Sequence, residues 1–305
     1  MSKLLKLSWL FCFYSVISGC AATVEKQSEK PIWQQQNSQL ITEADLLKKL
    51  PEVDVLYLGE AHDNPVHHQH QLAILEYLQA KGELAGVVME MLNSDQQAKI
   101  DGAYGKVNSQ TELYNWLEWQ QIKGWQWDFY GPMMWLAIKN NIPLKAGNIT
   151  RKQIMALYHS STKPKAEGPY IGAIREPLAK RIEEAHCNKI DQKSLVAMVN
   201  IQQARDKKLA EEAVKLSDGM KSGVKVIITG SFHARKDVGS PQFVQWLAPN
   251  VNVASVIFIE ANEEQLPEVS NNKRSTSAPW YKGVEPWGDW LWRTPKADTN
   301  RPDCG

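Results

Sequence analysis

Beyond its first twenty residues the chain has no apolar run approaching the roughly 20 residues a membrane-spanning helix needs, so its body is expected to carry no such helix. It has almost no charge excess: 35 Lys and Arg stand against 34 Asp and Glu, a formal +1. That balance removes the electrostatic case for nucleic acid or for a polybasic membrane contact. No internal repeat is visible, which argues against a solenoid. A His-Glu-x-x-His helix, the usual zinc-protease signal, is also missing.

What is present begins at the N-terminus. Lys3 and Lys6 form a short positive region, and Leu7 to Ile17 an apolar one too short to cross a bilayer. It runs into Ile17-Ser18-Gly19-Cys20, which reads as a lipobox. Residues 1–19 are therefore expected to be a lipoprotein signal peptide and Cys20 the lipidated residue. Ala21, where an Asp would mark inner-membrane retention, favours the periplasmic face of the outer membrane. Loss of residues 1–19 takes away two lysines and no acid, moving the formal charge from +1 to −1. Residues 20–40 read as a lipidated tether and 41–305 as a single α/β domain. Membrane attachment is then through the lipid alone. Cys12 leaves with the signal and Cys20 takes the lipid, so Cys187 and Cys304 remain as an expected disulfide in an oxidising compartment.

Downstream, strand-like and helix-like segments alternate. Val53 to Leu58 is a strand-like run, and Asn64-Pro65 a good helix start, with Asn as N-cap and Pro in the first helical position. That helix should run to about Ala80. Further strands are expected at Gly86 to Met89, Ile142 to Gly147, Val224 to Thr229 and Val251 to Glu260, with a long helix from about Asp191 to Leu216. The polar stretch Glu260 to Pro279 reads as an exposed connection. The predicted fold class is α/β, with a mainly parallel central sheet flanked by helices and a Trp-rich helical insertion.

Parallel strands share a direction, so their carboxyl ends line one edge, where open α/β sheets place their ligands. Glu60 and His62, Glu90, Asn148 and His233 each follow a predicted strand end. Arg151, and Arg205 with Asp206 on the long helix, are candidate supports for that rim. One reading of it is a metal-dependent hydrolase, with Glu60 or Glu90 as general base and a divalent metal held by Glu60, His62 and His233. His67, His68 and His70 lie in the first turns of the helix opened by Asn64. The helix dipole disfavours a protonated imidazole there, and at least one of the three is expected to be structural.

Residues 114–135 hold Tyr114, Trp116, Trp119, Trp125, Trp127, Phe129, Tyr130 and Trp135, including five of the chain's twelve tryptophans. Two readings stay open for this segment: core packing, or walls for a flat apolar ligand.

Several motifs occur together and in order: Gly59-Glu60-Ala61-His62-Asp63-Asn64 with His67-His68, Met89-Glu90-Met91, Trp125 through Tyr130-Gly131-Pro132, Asn148-Ile149-Thr150-Arg151, Gln202-Gln203-Ala204-Arg205-Asp206, Gly230-Ser231-Phe232-His233 with Gly239-Ser240-Pro241, Asp289 to Thr294, and Arg301-Pro302-Asp303-Cys304. Together they resemble the ChaN-like haem-binding lipoproteins of the superfamily that includes the Tiki-type proteases. The resemblance implies a non-enzymatic, lipid-anchored haem-binding protein of the bacterial envelope serving iron or haem acquisition. It also implies haem shared between two subunits, with iron on a tyrosine and propionates met by His and Lys. Tyr130 and Tyr170 are the candidate iron ligands, His67 and His68 candidate propionate contacts, and Trp125 and Trp127 candidate walls. Covalent c-type attachment is excluded, because no Cys-x-x-Cys-His occurs.

Overall fold

The computed structural model describes residues 32–36, 38–160, 168–170, 174–218, 222–261 and 287–297. The expected signal peptide, Cys20, Cys304 and nearly all of the Glu260–Pro279 connection lie outside them.

The strands are β1 (Ile32–Gln34), β2 (Gln39–Ile41), β3 (Val55–Glu60), β4 (Leu84–Asn93), β5 (Leu144–Asn148), β6 (Val224–Gly230), β7 (Val253–Ala261) and β8 (Trp290–Pro295). They form one sheet in the order β2-β1-β8-β7-β3-β6-β4-β5. From β8 to β5 neighbours run parallel, while β1 pairs antiparallel with both β2 and β8. The sheet is thus mixed, which corrects the expectation of a mainly parallel one. The cause is the short hairpin of β1 and β2, which lies, except for Ile41, inside the stretch read as a tether. Its strands are three residues each, too short to show a period against polar neighbours.

The helices are α1 (Glu43–Lys49), α2 (Pro65–Ala80), α3 (Gln97–Ala103), α4 (Gln110–Trp116), α5 (Trp127–Lys139), α6 (Arg151–His159), α7 (Arg175–Ala185), α8 (Gln192–Asp218) and α9 (Pro241–Leu247). Helix α2 starts as its sequence dictates: the Asn64 side chain accepts the Val66 N–H, and Pro65 needs no partner for its missing donor. None of the described helices is long and apolar enough to cross a membrane.

Side chains alternate across the central strands, and each face has its own core. Leu56, Leu58, Val87, Met89, Val226 and Ile228 pack on one side with residues of α2 to α5. Val55, Tyr57, Val88 and Ile227 pack on the other with α7, α8 and α9. Buried on both sides, β3 reads as an apolar run that breaks only at its last residue, Glu60, and β6 as an apolar run after Lys225 that breaks at Thr229. The Trp-rich segment spans α4, a short turn at Trp119–Gln121, and α5, and closes the first core.

Candidate functional site

The carboxyl ends of β3, β4 and β6 meet at one point of the sheet edge. The register pairs Glu60 directly with Gly230, and Met89, just before Glu90, with Ile228. Glu60, His62, Glu90 and His233 are brought together there.

Glu90 is buried at 1% exposure. Its Oε2 accepts from the Thr229 hydroxyl (2.6 Å) and the Gly230 N–H (2.9 Å). Its Oε1 lies 3.6 Å from His233 Nε2. Burial works against its charge, but the two imidazoles and these hydrogen bonds outweigh burial and push its pKa down to about 2. Asp206, fully buried on α8, holds His233 Nδ1 at 2.6 Å. Burial opposes the charge on His233 too, yet Glu90 and Asp206 raise its pKa above the ordinary value. His233 is thus a charged imidazole clamped between two carboxylates.

Glu60 is equally buried. Its Oε1 lies 2.6 Å from His62 Nδ1 and accepts the Tyr130 hydroxyl at 3.0 Å, and Oε2 lies 3.6 Å from His68 Nε2. His62 alone among the four opens to solvent, with 43% of its side chain exposed. Burial of its inner part opposes protonation, but the Glu60 carboxylate outweighs that and pushes its pKa up to about 9. Its ring sits over Gly230, where a Cβ would come within 2.9 Å of Cε1 and 3.0 Å of Nε2. The Trp125 ring packs edge-on against it at 4.8 Å. At neutral pH the rim therefore offers a charged imidazole to solvent over a floor of paired charges.

The supports divide. Asn148, at the end of β5, donates through Nδ2 to the Glu90 carbonyl (3.0 Å). Arg205 lies close enough to oppose the charges on His62 and His233, but makes no ion pair with a carboxylate among the described residues. Arg151 is exposed at the start of α6 and makes no hydrogen bond or ion pair with the rim among the described residues.

Three expected haem contacts are interior groups. His67 Nδ1 accepts the Ala61 N–H (2.9 Å), which leaves the proton on Nε2, 2.6 Å from Thr294 Oγ1. This is the neutral imidazole expected near a helix N-terminus. His68 is buried, stacks on Phe129 and faces Gln71 and the His62 carbonyl. Neither edge is open to a propionate. Tyr130 is fully buried, and burial together with Glu60 pushes its pKa upward. Its phenol stays a donor to Glu60, the opposite of what a phenolate ligand requires. The backbone of Tyr170 lies in a short turn at Gly168–Tyr170, and its side chain is outside the described residues. Trp127 packs edge-on against Tyr114 and Trp119, so it serves the core. Trp125 borders both the core and His62.

No group of three or more His, Cys, Asp or Glu among the described residues is arranged to hold a metal ion. Glu60, His62 and His233, the expected ligands of a divalent metal, do not form such a group, and the hydrolase reading is not favoured. Cys187 is disulfide-bonded; Cys304, its expected partner, lies outside the described residues.

Two features escaped the sequence. A cavity of about 670 Å³ opens between α6, α7 and α8, beside the tip of β6. Tyr158, 39% exposed, stands on α6 one turn after Ile154 of the cavity wall. The spacing of Ile154 and Tyr158 was available as a signal, but the wall itself joins three helices distant in the chain.

The chain is similar to the structure described as cofacial heme binding to ChaN of Campylobacter jejuni. The TM-score is 0.69 at 22% identity, covering 87% of this chain and 96% of that one. Weaker likenesses are to the type III effector HopBA1 (TM-score 0.43, 10% identity, covering 83% and 92% of the two chains) and to a mutant of the erythromycin esterase EreC in its open conformation (0.42, 12%, covering 77% of each). No curated relative matches the chain. The family model described as haem-binding uptake, Tiki superfamily, ChaN matches residues 46–244, from α1 through the rim to α9. The chain belongs to this ChaN family of the Tiki superfamily.

Proposed function

We propose that this protein binds haem at the cell envelope and serves iron or haem acquisition. The observation that carries the reading is the family match over 46–244. The fold it shares with the Campylobacter ChaN, whose structure is described as cofacial haem binding, supports it.

Haem is flat and largely apolar, with two anionic propionates, so a seat needs apolar walls, an axial ligand and cationic donors. The cavity between α6, α7 and α8 suits this need: about 670 Å³, with Ile154, Ile182, Met198, Ile201, Phe232 and Arg205 in its lining. A tyrosinate, hard and anionic, favours ferric iron. With the Tyr130 phenol held inside, Tyr158 and Tyr170 are the candidate ligands. Two copies of the chain meeting across α6, where Met155 (43%) and Tyr158 (39%) are exposed, would form a haem-dependent homodimer. Lipidation at Cys20 would place the protein on the periplasmic face of the outer membrane.

The test is a hemin titration followed by absorbance and sedimentation. Saturable binding with a monomer-to-dimer shift is expected, because a ligand held only by the dimer favours it by linkage. Tyr158→Phe or Tyr170→Phe should alter the spectrum. Binding no better than that of an unrelated soluble protein refutes the reading.

A further inference from the structure

We propose that Gln202, Arg205 and Ser231, where α8 passes the tip of β6, form a binding site for inorganic hydrogen phosphate. The site uses only this polar corner of the cavity between α6, α7 and α8, and it does not depend on the haem-binding reading.

The corner is built from hydrogen-bonding groups that the fold leaves unspent. Arg205 Nε and Gln202 Oε1 are both buried without a hydrogen-bond partner among the described residues. Leaving such groups unpaired is costly, more so for a charged one, and a ligand that pairs them recovers the loss. Three positions apart on α8, the two side chains are neighbours on one helix face. Ser231 joins them in the cavity lining from the end of β6. Its N–H goes to the Glu60 carbonyl (2.7 Å), and its hydroxyl has no hydrogen-bond partner among the described residues.

The charge balance of the corner favours an anion. The cavity lining holds one carboxylate, Glu184, and Arg181 pairs with it at 3.0 Å. The rim carboxylates do not satisfy Arg205: Asp206 is held by His233, and Glu90 by Thr229 and Gly230. His62, which sits over Gly230 next to Ser231 in the chain, adds a second positive charge close to that guanidinium. A guanidinium fork with a hydroxyl beside it is suited to an oxyanion.

The acceptor among these groups selects which oxyanion. A planar carboxylate has two oxygens, which one guanidinium fork can take up alone. Tetrahedral phosphate has further oxygens for the Ser231 hydroxyl. Gln202 Oε1 only accepts, so the ligand must also bring an O–H. Hydrogen phosphate carries one. Sulfate at neutral pH carries none, and a phosphate monoester loses its last proton at about pH 6. A site built to hydrogen-bond an O–H rejects the analogue that lacks it.

The experiment is a calorimetric titration of the full chain, free of hemin, with inorganic phosphate, sulfate and methyl phosphate, at about pH 8, above that last ionisation. We expect saturable phosphate binding, with sulfate and methyl phosphate at least tenfold weaker. Gln202→Leu should lower phosphate affinity about tenfold and leave sulfate unchanged, so that the preference disappears. Arg205→Gln should weaken all three anions at least tenfold without lowering the thermal melt of the free protein, because the guanidinium it removes has no partner to lose. Sulfate or methyl phosphate binding as tightly as phosphate would overturn the assignment, and so would wild-type phosphate affinity in either variant. A wild type that takes up no phosphate would overturn it outright. None of these results touches the haem reading, which the hemin titration tests separately.

Discussion

Replacing Glu90 by Gln keeps the shape of the side chain and removes one charge from the centre of the rim. The consequence can be worked from the structure. The Glu90 carboxyl ionises near pH 2 rather than at the ordinary 4.5. At ~1.4 kcal/mol per unit, that difference is about 3 kcal/mol of folding stability, within the range of about 3–5 kcal/mol for breaking a buried ion pair. Because the folded pKa is depressed, the contribution is fully present above 4.5 and fades as pH falls through about 2. Glu90→Gln should therefore melt roughly 6–12 °C below wild type near neutrality. The stability gap should narrow to about 2 kcal/mol by about pH 3.5. Differential scanning calorimetry with denaturant titrations at both pH values measures this. A gap under about 1 kcal/mol at neutral pH, or one that does not shrink on acidification, would refute the view that Glu90 is an ionised partner of His233 and His62.

Other outcomes follow from the same geometry. The His62 ring should titrate by NMR near pH 9, and Glu60→Gln should bring it back toward 6.5; since its folded pKa is raised, the stability it lends is complete below 6.5 and lost as pH rises through about 9. A wild-type titration near 6.5 would show that Glu60 is not its ionised partner. Non-reducing peptide mapping should find Cys187 joined to Cys304, and removing the link should cost about 2–4 kcal/mol; recovery of Cys304 as a free thiol in periplasmic material removes that pairing. Cys20→Ala should abolish lipid labelling and leave precursor or untethered protein, whereas labelling like that of wild type would end the lipoprotein reading.

The rim was legible in the sequence because parallel strands announce their own ends. Each central strand is an apolar run closed by a polar residue, and the direction of the strands then collects Glu60, Glu90 and His233 without knowledge of the strand order. Asn64-Pro65 was equally plain, since the cap and the imino acid act locally. Tertiary pairing was not legible. Nothing near Tyr130 in sequence says that its phenol turns inward to Glu60, seventy residues away. Nor does anything near His67 announce Thr294, at the end of a strand that joins the sheet from the far end of the chain. The edge hairpin of β1 and β2 owes its existence to β8, which offers it an open flank, so its own residues carry little signal. Arg205 and Asp206 were candidate supports because their charge alone was visible; which partner each takes was not, and Asp206 holds His233.

Gly230 bears on how the protein tolerates change. The volume a methyl group would need there is occupied by the His62 imidazole, and that ring cannot swing aside cheaply, since Glu60 grips one edge and Trp125 abuts it. Positions 62 and 230 are therefore epistatic. An alanine at 230 is a lesion while histidine stands at 62, and becomes nearly silent once the imidazole has gone. A lineage that keeps the ring keeps the glycine with it, and in a saturation library the two positions should drift together or not at all.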